Sequence, residues 1–286
     1  MPIRQPPVTL TDVTDLNTPR TILLTGATSG IGKALARRLA VECHSLILQG
    51  PEPTNRVQSL LAELRASGTA VAYVQIDYCN LAEVSAGAEL IKAAGKIDVV
   101  VNNAAIPGPQ AFHQTTDGTE ATLQVNAIAP AFLTQCLLRH LQPGVRIVNV
   151  GSAAHHFAEL DLADLEFRTG YSSTAAYGRS KLALVAWSLW LARSLAGTGI
   201  DVITVCPGVT DTPLSAAMMG RIGASPVRGA GRVYRAISAD VPTGTYLESD
   251  RPAPSSADAL DARFQAKVVE MIRGSWPAVA RPPHEA

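Results

Sequence analysis

Apolar residues along this chain come in two alternating rhythms. Short runs, Thr21 to Thr25, Ser45 to Gln49, Ala70 to Ile76, Val99 to Val101, Val145 to Val150 and Val202 to Val205, fit buried strands and are too short for core helices. Between them apolar positions recur every three or four residues, as in Ala34, Leu35 and Leu39, then in Val57, Leu60, Leu61 and Leu64. The same spacing marks Leu81 to Gly95, the stretch carrying Leu123, Ala127, Ala131 and Leu138, and Tyr177 to Leu195. Each predicts a helix with one buried face. Gly50-Pro51-Glu52-Pro53, Pro143-Gly144 and Pro207-Gly208 punctuate the pattern as turns. Gly244 to Leu247 reads as a last short strand, with a helix from Ala257 to Ile272 behind it.

Strand-then-helix units joined in this way imply an α/β fold: one domain, a doubly wound parallel sheet with right-handed crossovers and helices on both faces. Ligands of such a sheet bind beyond the carboxyl ends of the strands. The unusual residues obey that rule, because Gly26, Gly30 and Gly32, Asp77, Asn102 to Ala105, Ser152 and Pro207-Gly208 all fall just after predicted strands. Two segments break the rhythm. Ala153 to Ser173 is polar, and the stretch from Gly208 to about Val241 is rich in Gly, Met and Arg with weak periodicity. Both follow strands, so both are expected to rise over the crevice, with a substrate lid at about 210–241. Residues 1–18, with several prolines, suit a flexible arm, 19–275 the domain, and 276–286 a tail.

Composition narrows the function. Among 286 residues 47% are apolar, and 24 Lys+Arg balance 24 Asp+Glu, so a large core is available and no net field draws the chain to nucleic acid. A small neutral partner fits better. Cys43, Cys79, Cys136 and Cys206 show no metal-ligand spacing and read as buried free thiols. Leu182 to Ala192, the longest near-apolar run, is too short to cross a bilayer, and a soluble, cytoplasmic protein is expected.

A tight turn of Gly26, Gly30 and Gly32 between strand and helix lets backbone N–H groups close on a phosphate at a helix N-terminus. Such glycines also serve plain turns, and the phosphate reading rests on the rest of the chain. Tyr177 and Lys181 stand four apart, hence on one helix face, and Ser152 ends a strand that would point at them. A hydroxyl and a phenol in one crevice can hold a carbonyl oxygen. An ammonium beside the phenol favours phenolate and lowers its pKa, suiting Tyr177 to proton exchange. Gly151-Ser152 lacks the elbow of a serine hydrolase. His155 and His156 cannot point at one site from an extended chain and are expected as loop or pocket-rim residues, with no metal, while Asp161, Asp164 and Glu166 read as a solvated face.

Thr25-Gly26-Ala27-Thr28-Ser29-Gly30-Ile31-Gly32, Asn102-Asn103-Ala104-Ala105, Asn126, Ser152, Tyr177-Gly178-Arg179-Ser180-Lys181 and Pro207-Gly208-Val209-Thr210-Asp211-Thr212 occur in the order of the short-chain dehydrogenase/reductase family, which the chain resembles over about residues 20–250. The spacing from Ser152 to Tyr177, Ala176 to Ala183 and the late Gly244-Thr245-Tyr246 resemble its retinol-dehydrogenase-like branch. The resemblance implies a Rossmann-type fold and a nicotinamide cofactor held by Gly26, Ser29, Gly30, Ile31, Gly32, Asp77, Asn103, Ala104, Ala105, Pro207, Gly208, Val209 and Thr212. It implies Tyr177 as general acid/base, Ser152 orienting the substrate oxygen, Lys181 lowering the tyrosine pKa and holding the nicotinamide ribose, and Asn126 supporting a proton relay. Asp77 would meet the adenine and Thr212 the carboxamide.

Two departures bear on the cofactor. Ala105 replaces the usual glycine, and Gly50-Pro51 stands where relatives carry an acid for NAD or an arginine for NADP. Gly50 supplies no carboxylate and Arg56 begins the next helix, so NADP(H) is favoured over NAD(H), with Glu52 as the counter-argument. The apolar lid residues Leu214, Met218, Met219 and Ile222, with Gly220, Gly223, Gly229 and Gly231 as hinges, point to a bulky lipophilic ketone, aldehyde or secondary alcohol. The apolar helix faces around Leu123 to Leu138 and Leu182 to Leu195 are either core or, as the resemblance implies, contacts of a homodimer or homotetramer. The other readings of the same fold are a lyase, epimerase or internal-redox enzyme and a silent nucleotide-binding regulator.

Overall fold

The computed structural model describes residues 20–42, 45–159, 164, 167 and 169–277. The expected arm, Cys43, Asp161, Glu166, Arg168 and nearly all of the expected tail lie outside them. The first half runs β1 (Thr21–Leu24), α1 (Gly30–Val41), β2 (Ser45–Gly50), α2 (Thr54–Arg65), β3 (Val71–Gln75), α3 (Leu81–Ala93), β4 (Val99–Asn102), α4 (Ala121–Leu123) and α5 (Ala129–Leu137). It continues through β5 (Arg146–Val150), α6 (Ser173–Ser194), β6 (Asp201–Cys206), α7 (Pro213–Met219), α8 (Pro226–Ser238), β7 (Tyr246–Glu248), β8 (Arg251–Pro252), α9 (Ala257–Leu260) and α10 (Ala262–Gly274). A π-helical stretch, Gln124–Ile128, joins α4 to α5, and a 3-10 turn, Ala153–Phe157, follows β5.

The sheet order is β3-β2-β1-β4-β5-β6-β7-β8, parallel except for β8 at the edge. Side chains alternate across it. Leu23, Ile47, Val100 and Ile147 face a layer that includes α3, α5, α6 and α10, while Ile22, Leu24, Leu46, Leu48, Val99 and Val101 face α1, α2 and α8. Burial on both sides explains why these strands read as near-continuous apolar runs. The chain winds outward from β1 to β3 and then returns to place β4 on the other side of β1. That reversal opens a crevice at the carboxyl ends of β1 and β4.

Polar side chains pin the centre. Asn102 Nδ2 donates to Asn149 Oδ1 at 2.8 Å and to Thr134 Oγ1 at 3.1 Å, and Asn149 Nδ2 donates to Ser188 Oγ at 2.9 Å. This chain ties β4 and β5 to α5 and α6, and such buried networks fix one register and one packing.

The structure departs from the sequence reading in two ways and decides between its alternatives in a third. The expected lid contains two helices, and α8 is scaffold: Ala230, Val233, Tyr234, Ala236 and Ile237 are buried against the layer that holds α1. Only the part ahead of it borders the crevice. The predicted last helix is broken at Asp261, whose side chain accepts from Phe264 N and caps α10. The faces of α5 and α6 offered to a second subunit are core, since Phe132, Leu182 and Val185 are fully buried and α9 and α10 pack over α6. Trp276 lies on Phe132 with ring centroids 5.5 Å apart, and Arg273 stacks on Trp190. Among the described residues no helix is long and apolar enough to cross a membrane. Cys79 and Cys136 are half-buried where full burial was expected, and Cys206 is buried.

Candidate active site

A cavity of about 580 Å³ opens at the carboxyl ends of the strands. Of the residues the family resemblance nominates for catalysis and cofactor binding, all but Asn126 line it; of the expected apolar lid residues Leu214, Met218 and Met219 line it and Ile222 does not. They converge because the turns after the strands of one parallel sheet meet there, with α6 bringing Tyr177 and Lys181 alongside.

At one end the wall is backbone. Gly26 and Gly30 adopt left-handed φ of 61° and 49°, a region that disfavours a side chain. A Cβ on Gly32 would overlap the Gly26 carbonyl, and one on Gly26 would lie 2.7 Å from Ala104 Cα. Gly26 and Gly32 are therefore required by close approach of α1 to its own turn and to the end of β4, and Gly30 by its left-handed backbone, where a side chain would press against Thr212. Ser29 caps α1 without a side-chain hydrogen bond, so the first-turn N–H groups are left to a ligand. With the helix dipole they form an anion cradle. Asn103 lines the cavity and braces this turn: its Nδ2 donates to Thr25 O at 2.9 Å and Gly26 O at 3.2 Å, while Thr25 Oγ1 accepts from Asn103 N and Ala104 N at 3.0 Å.

Beyond β2 the wall changes. Gln49 Oε1 accepts from Gly26 N at 3.1 Å and its Nε2 donates to Ile76 O, bracing the turn. Glu52 folds back so that its Oε1 accepts from Thr28 Oγ1 at 3.0 Å, and its Oε2 is buried without a hydrogen-bond partner. Gly50 makes room for this, because a Cβ there would meet Thr28, Glu52 Oε2 and Tyr73 within 3 Å. Arg56 is exposed on α2 and does not line the cavity, where the basic residue among the described lining is Lys181. Asp77 lines the next stretch, its Oδ1 accepting from Cys79 N.

The other end is built from side chains. Ser152 Oγ caps the 3-10 turn by accepting from Ala154 N at 3.2 Å and lies beside the Tyr177 phenol, whose pKa it pulls down. Burial pushes the Tyr177 phenol up to about 12, against the pull of Ser152. The lowering expected from Lys181 is absent for a physical reason. Lys181 Nζ donates to Val150 O at 3.0 Å, lies 5.7 Å from the tyrosine ring centre, and is itself pushed down to about 8 by burial. Asn126 does not line the cavity: it is fully buried in the π-helical stretch, exchanging hydrogen bonds with the Ile106 backbone and donating to Ser180 Oγ, next to Lys181. It positions the loop after β4 against α6. Thr212 Oγ1 accepts from Ser215 N and caps α7 at the cavity edge.

Apolar side chains complete this end, among them Ile106, Phe157, Leu214, Met218 and Met219. Phe157 is 89% exposed and was not singled out by sequence, as an aromatic inside a polar stretch carries no periodic signal. His155 and His156 do not rim the cavity: the 3-10 turn stacks their rings 3.9 Å apart, and His155 is fully buried. Among the described residues no cluster suited to a metal ion occurs.

Set against known proteins, residues 20–220 match the family model described as short chain dehydrogenase. Polyprenol dehydrogenase of Mus musculus is 34% identical over 275 residues, 87% of this chain and 81% of the relative. Retinol dehydrogenase 13 of Homo sapiens is 33% identical over 203 residues, 68% of this chain and 60% of the relative. A short chain dehydrogenase from Burkholderia cenocepacia J2315, solved in complex with NADP, superposes with a TM-score of 0.65 at 29% identity, over 80% of this chain and 95% of that one. The chain therefore belongs to the short-chain dehydrogenase/reductase family, in its retinol-dehydrogenase-like branch, and is an NAD(P)-dependent oxidoreductase.

Proposed function

We propose that this enzyme moves hydride between a nicotinamide cofactor and a bulky, mostly apolar ketone or aldehyde, or the corresponding secondary alcohol, with Tyr177 as general acid/base. The observation that carries the reading is the convergence of Ser152, Tyr177 and Lys181 on one wall of a cavity whose other end is a glycine cradle and whose rim is apolar. The glycine turn fits a dinucleotide pyrophosphate, since the first-turn N–H groups of α1 carry no side-chain cap and face the cavity that Gly26, Ser29, Gly30 and Ile31 line. The cofactor, when bound, supplies or accepts the hydride.

The protein's part is to hold oxygen and proton. Ser152 and Tyr177 hydroxyls together orient the substrate oxygen, and Tyr177 gives its proton as an alkoxide develops, or takes it in the reverse direction. A phenol held near 12 keeps its proton until that charge appears, which suits reduction. Lys181 is placed to hold the nicotinamide ribose, and Asn126 fixes the loop after β4 against α6, which carries Lys181. Relatives named polyprenol dehydrogenase and retinol dehydrogenase accord with a long apolar substrate. Turnover across a carbonyl panel graded by apolar area tests this: kcat/KM is expected to rise with size, and a preference for small hydrophilic carbonyls would overturn it. Net NAD(P)H consumption excludes an epimerase, a lyase or a silent regulator. Tyr177→Phe is expected to abolish turnover with cofactor affinity nearly intact.

For the adenosine end we infer NAD(H) over NADP(H), the reverse of the reading from Gly50. The buried Glu52 Oε2 lacks a partner and, beside Thr28, is suited to accept from a ribose hydroxyl, while a 2′-phosphate there would meet a carboxylate and no arginine. Glu52→Gln is expected to narrow the ratio of NADPH to NADH dissociation constants; a wild-type preference for NADPH would defeat the inference. A homo-oligomer, if formed, uses surfaces other than the apolar faces of α5 and α6, and sedimentation velocity measures its size.

A further inference from the structure

The His155 side chain sits outside the cavity, yet it is tied to the proposed catalytic serine. Its ring is fully buried, with Nδ1 2.7 Å from Ser152 O and Nε2 3.2 Å from Ser256 N. A carbonyl oxygen can only accept and a backbone N–H can only donate. The ring must therefore carry its proton on Nδ1 and offer a lone pair at Nε2, one neutral tautomer fixed from both sides. His156 and Tyr246 pack against the ring at centroid distances of 3.9 and 5.0 Å.

What the ring joins is informative. Ser152 opens the 3-10 turn that contains His155 itself, and the same turn packs against α6, which carries Tyr177 and Lys181. Ser256 caps α9 and lies beyond residues 20–220, in the carboxyl-terminal segment that also covers α6. Both reacting hydroxyls are thus referred to one segment: Tyr177 through helix packing, Ser152 through the imidazole.

We propose that His155 is a positioning residue that sets the Ser152 hydroxyl against Tyr177 by anchoring the turn after β5 to the carboxyl-terminal segment at Ser256. The inference rests on the roles given to Ser152 and Tyr177 above. It adds that the catalytic geometry depends on a stretch outside the part of the chain the family model covers. Displacement of Ser152 by a fraction of an ångström would leave cofactor and substrate binding in place and weaken only the step in which the oxygen is held and protonated.

Three substitutions separate this role from simple packing. His155→Phe keeps the ring's bulk and removes both hydrogen bonds; kcat is expected to fall about tenfold to a hundredfold, with little change in cofactor dissociation constant or substrate KM. His155→Asn can still donate to Ser152 O and is expected to recover most of kcat, whereas His155→Gln, whose amide reaches further, is not. At Ser256, whose φ of −58° suits proline, Ser256→Pro deletes the donated N–H, and Ser256→Ala keeps it while losing the α9 cap in both cases. Ser256→Pro is expected to lower kcat several-fold below Ser256→Ala. Full kcat in His155→Phe, or kcat following melting temperature alone across the set, would overturn the proposal. Should Tyr177→Phe remain active, the reading of the catalytic pair fails instead; Tyr177→Phe inactive with His155→Phe fully active refutes His155 alone.

Discussion

At the glycine-turn end of the cavity the wall is main chain locked against main chain, whereas at the Ser152–Tyr177 end it is side chains hung from a 3-10 turn and from α6 and α7. The first wall has no slack, because Gly32 abuts the Gly26 carbonyl and Gly26 abuts Ala104. The second is adjustable: Leu214 and Met218 are half-exposed, and Met219 and Phe157 are mostly exposed. A wall made of backbone recognises a phosphate, which is the same in every cycle. A wall of apolar side chains suits a substrate recognised by bulk.

Substitution should expose the contrast most sharply at Gly32. Gly32→Ala is expected to abolish measurable cofactor binding, since backbone has to move to admit one methyl group. Gly274→Ala, where a Cβ meets nothing within 4 Å, is the control and should leave both binding and melting temperature near wild type. Cofactor titration by fluorescence checks the pair. Retained affinity in Gly32→Ala would show that the turn is softer than its packing.

Lys181→Met comes next, because this residue belongs to both ends of the comparison. It is buried, hydrogen-bonded to Val150 O and beside Tyr177, so its loss should lower turnover about a hundredfold or more and also weaken cofactor binding several-fold. Turnover lost with affinity unchanged would assign it to the proton step alone.

A smaller effect is expected with pH. Burial pushes His155 from its ordinary 6.5 down to about 4. In that interval the unfolded chain binds a proton that the folded chain refuses, so stability is full above about pH 6.5 and declines as pH falls toward 4. Thermal melts at successive pH values measure the decline, and His155→Phe should flatten it. An unchanged slope in that variant would place the acid sensitivity elsewhere.

How much of this was legible in the sequence follows the range of the interactions. The first six strands, the glycine turn and the Tyr177–Lys181 pair are written in local spacing, and the parallel sheet brings them together without further information. Helix α8 was missed because Gly229 and Gly231 interrupt its pattern and read as hinges. Gly229 is there for packing, as its Cβ would press on Thr210 and Ile31. Glu52 is no more than a counter-argument in the sequence because its reach depends on Gly50 leaving space beside Thr28, which spacing alone does not reveal. From sequence His155 reads only as a loop or pocket-rim residue, because its partner Ser256 lies 101 residues away. Asn126 was assigned to the site by motif, and its burial behind the loop after β4 appears only in three dimensions.

The mildest change probes the adjustable wall directly. Phe157 lines the cavity yet is 89% exposed, so it buries little against its own protein and should contribute little to stability. Phe157→Ala is expected to shift the melting temperature by less than about 2 °C, as surface substitutions away from packed features do. Its contribution would appear only when an apolar substrate covers the ring. Removing it should lower kcat/KM about threefold to tenfold for the bulkiest apolar carbonyls, leaving small hydrophilic ones untouched, because only the former reach the rim. An equal loss for large and small substrates would mean that Phe157 shapes the turn carrying Ser152 instead of touching substrate, and a clear drop in melting temperature would say the same by an independent route.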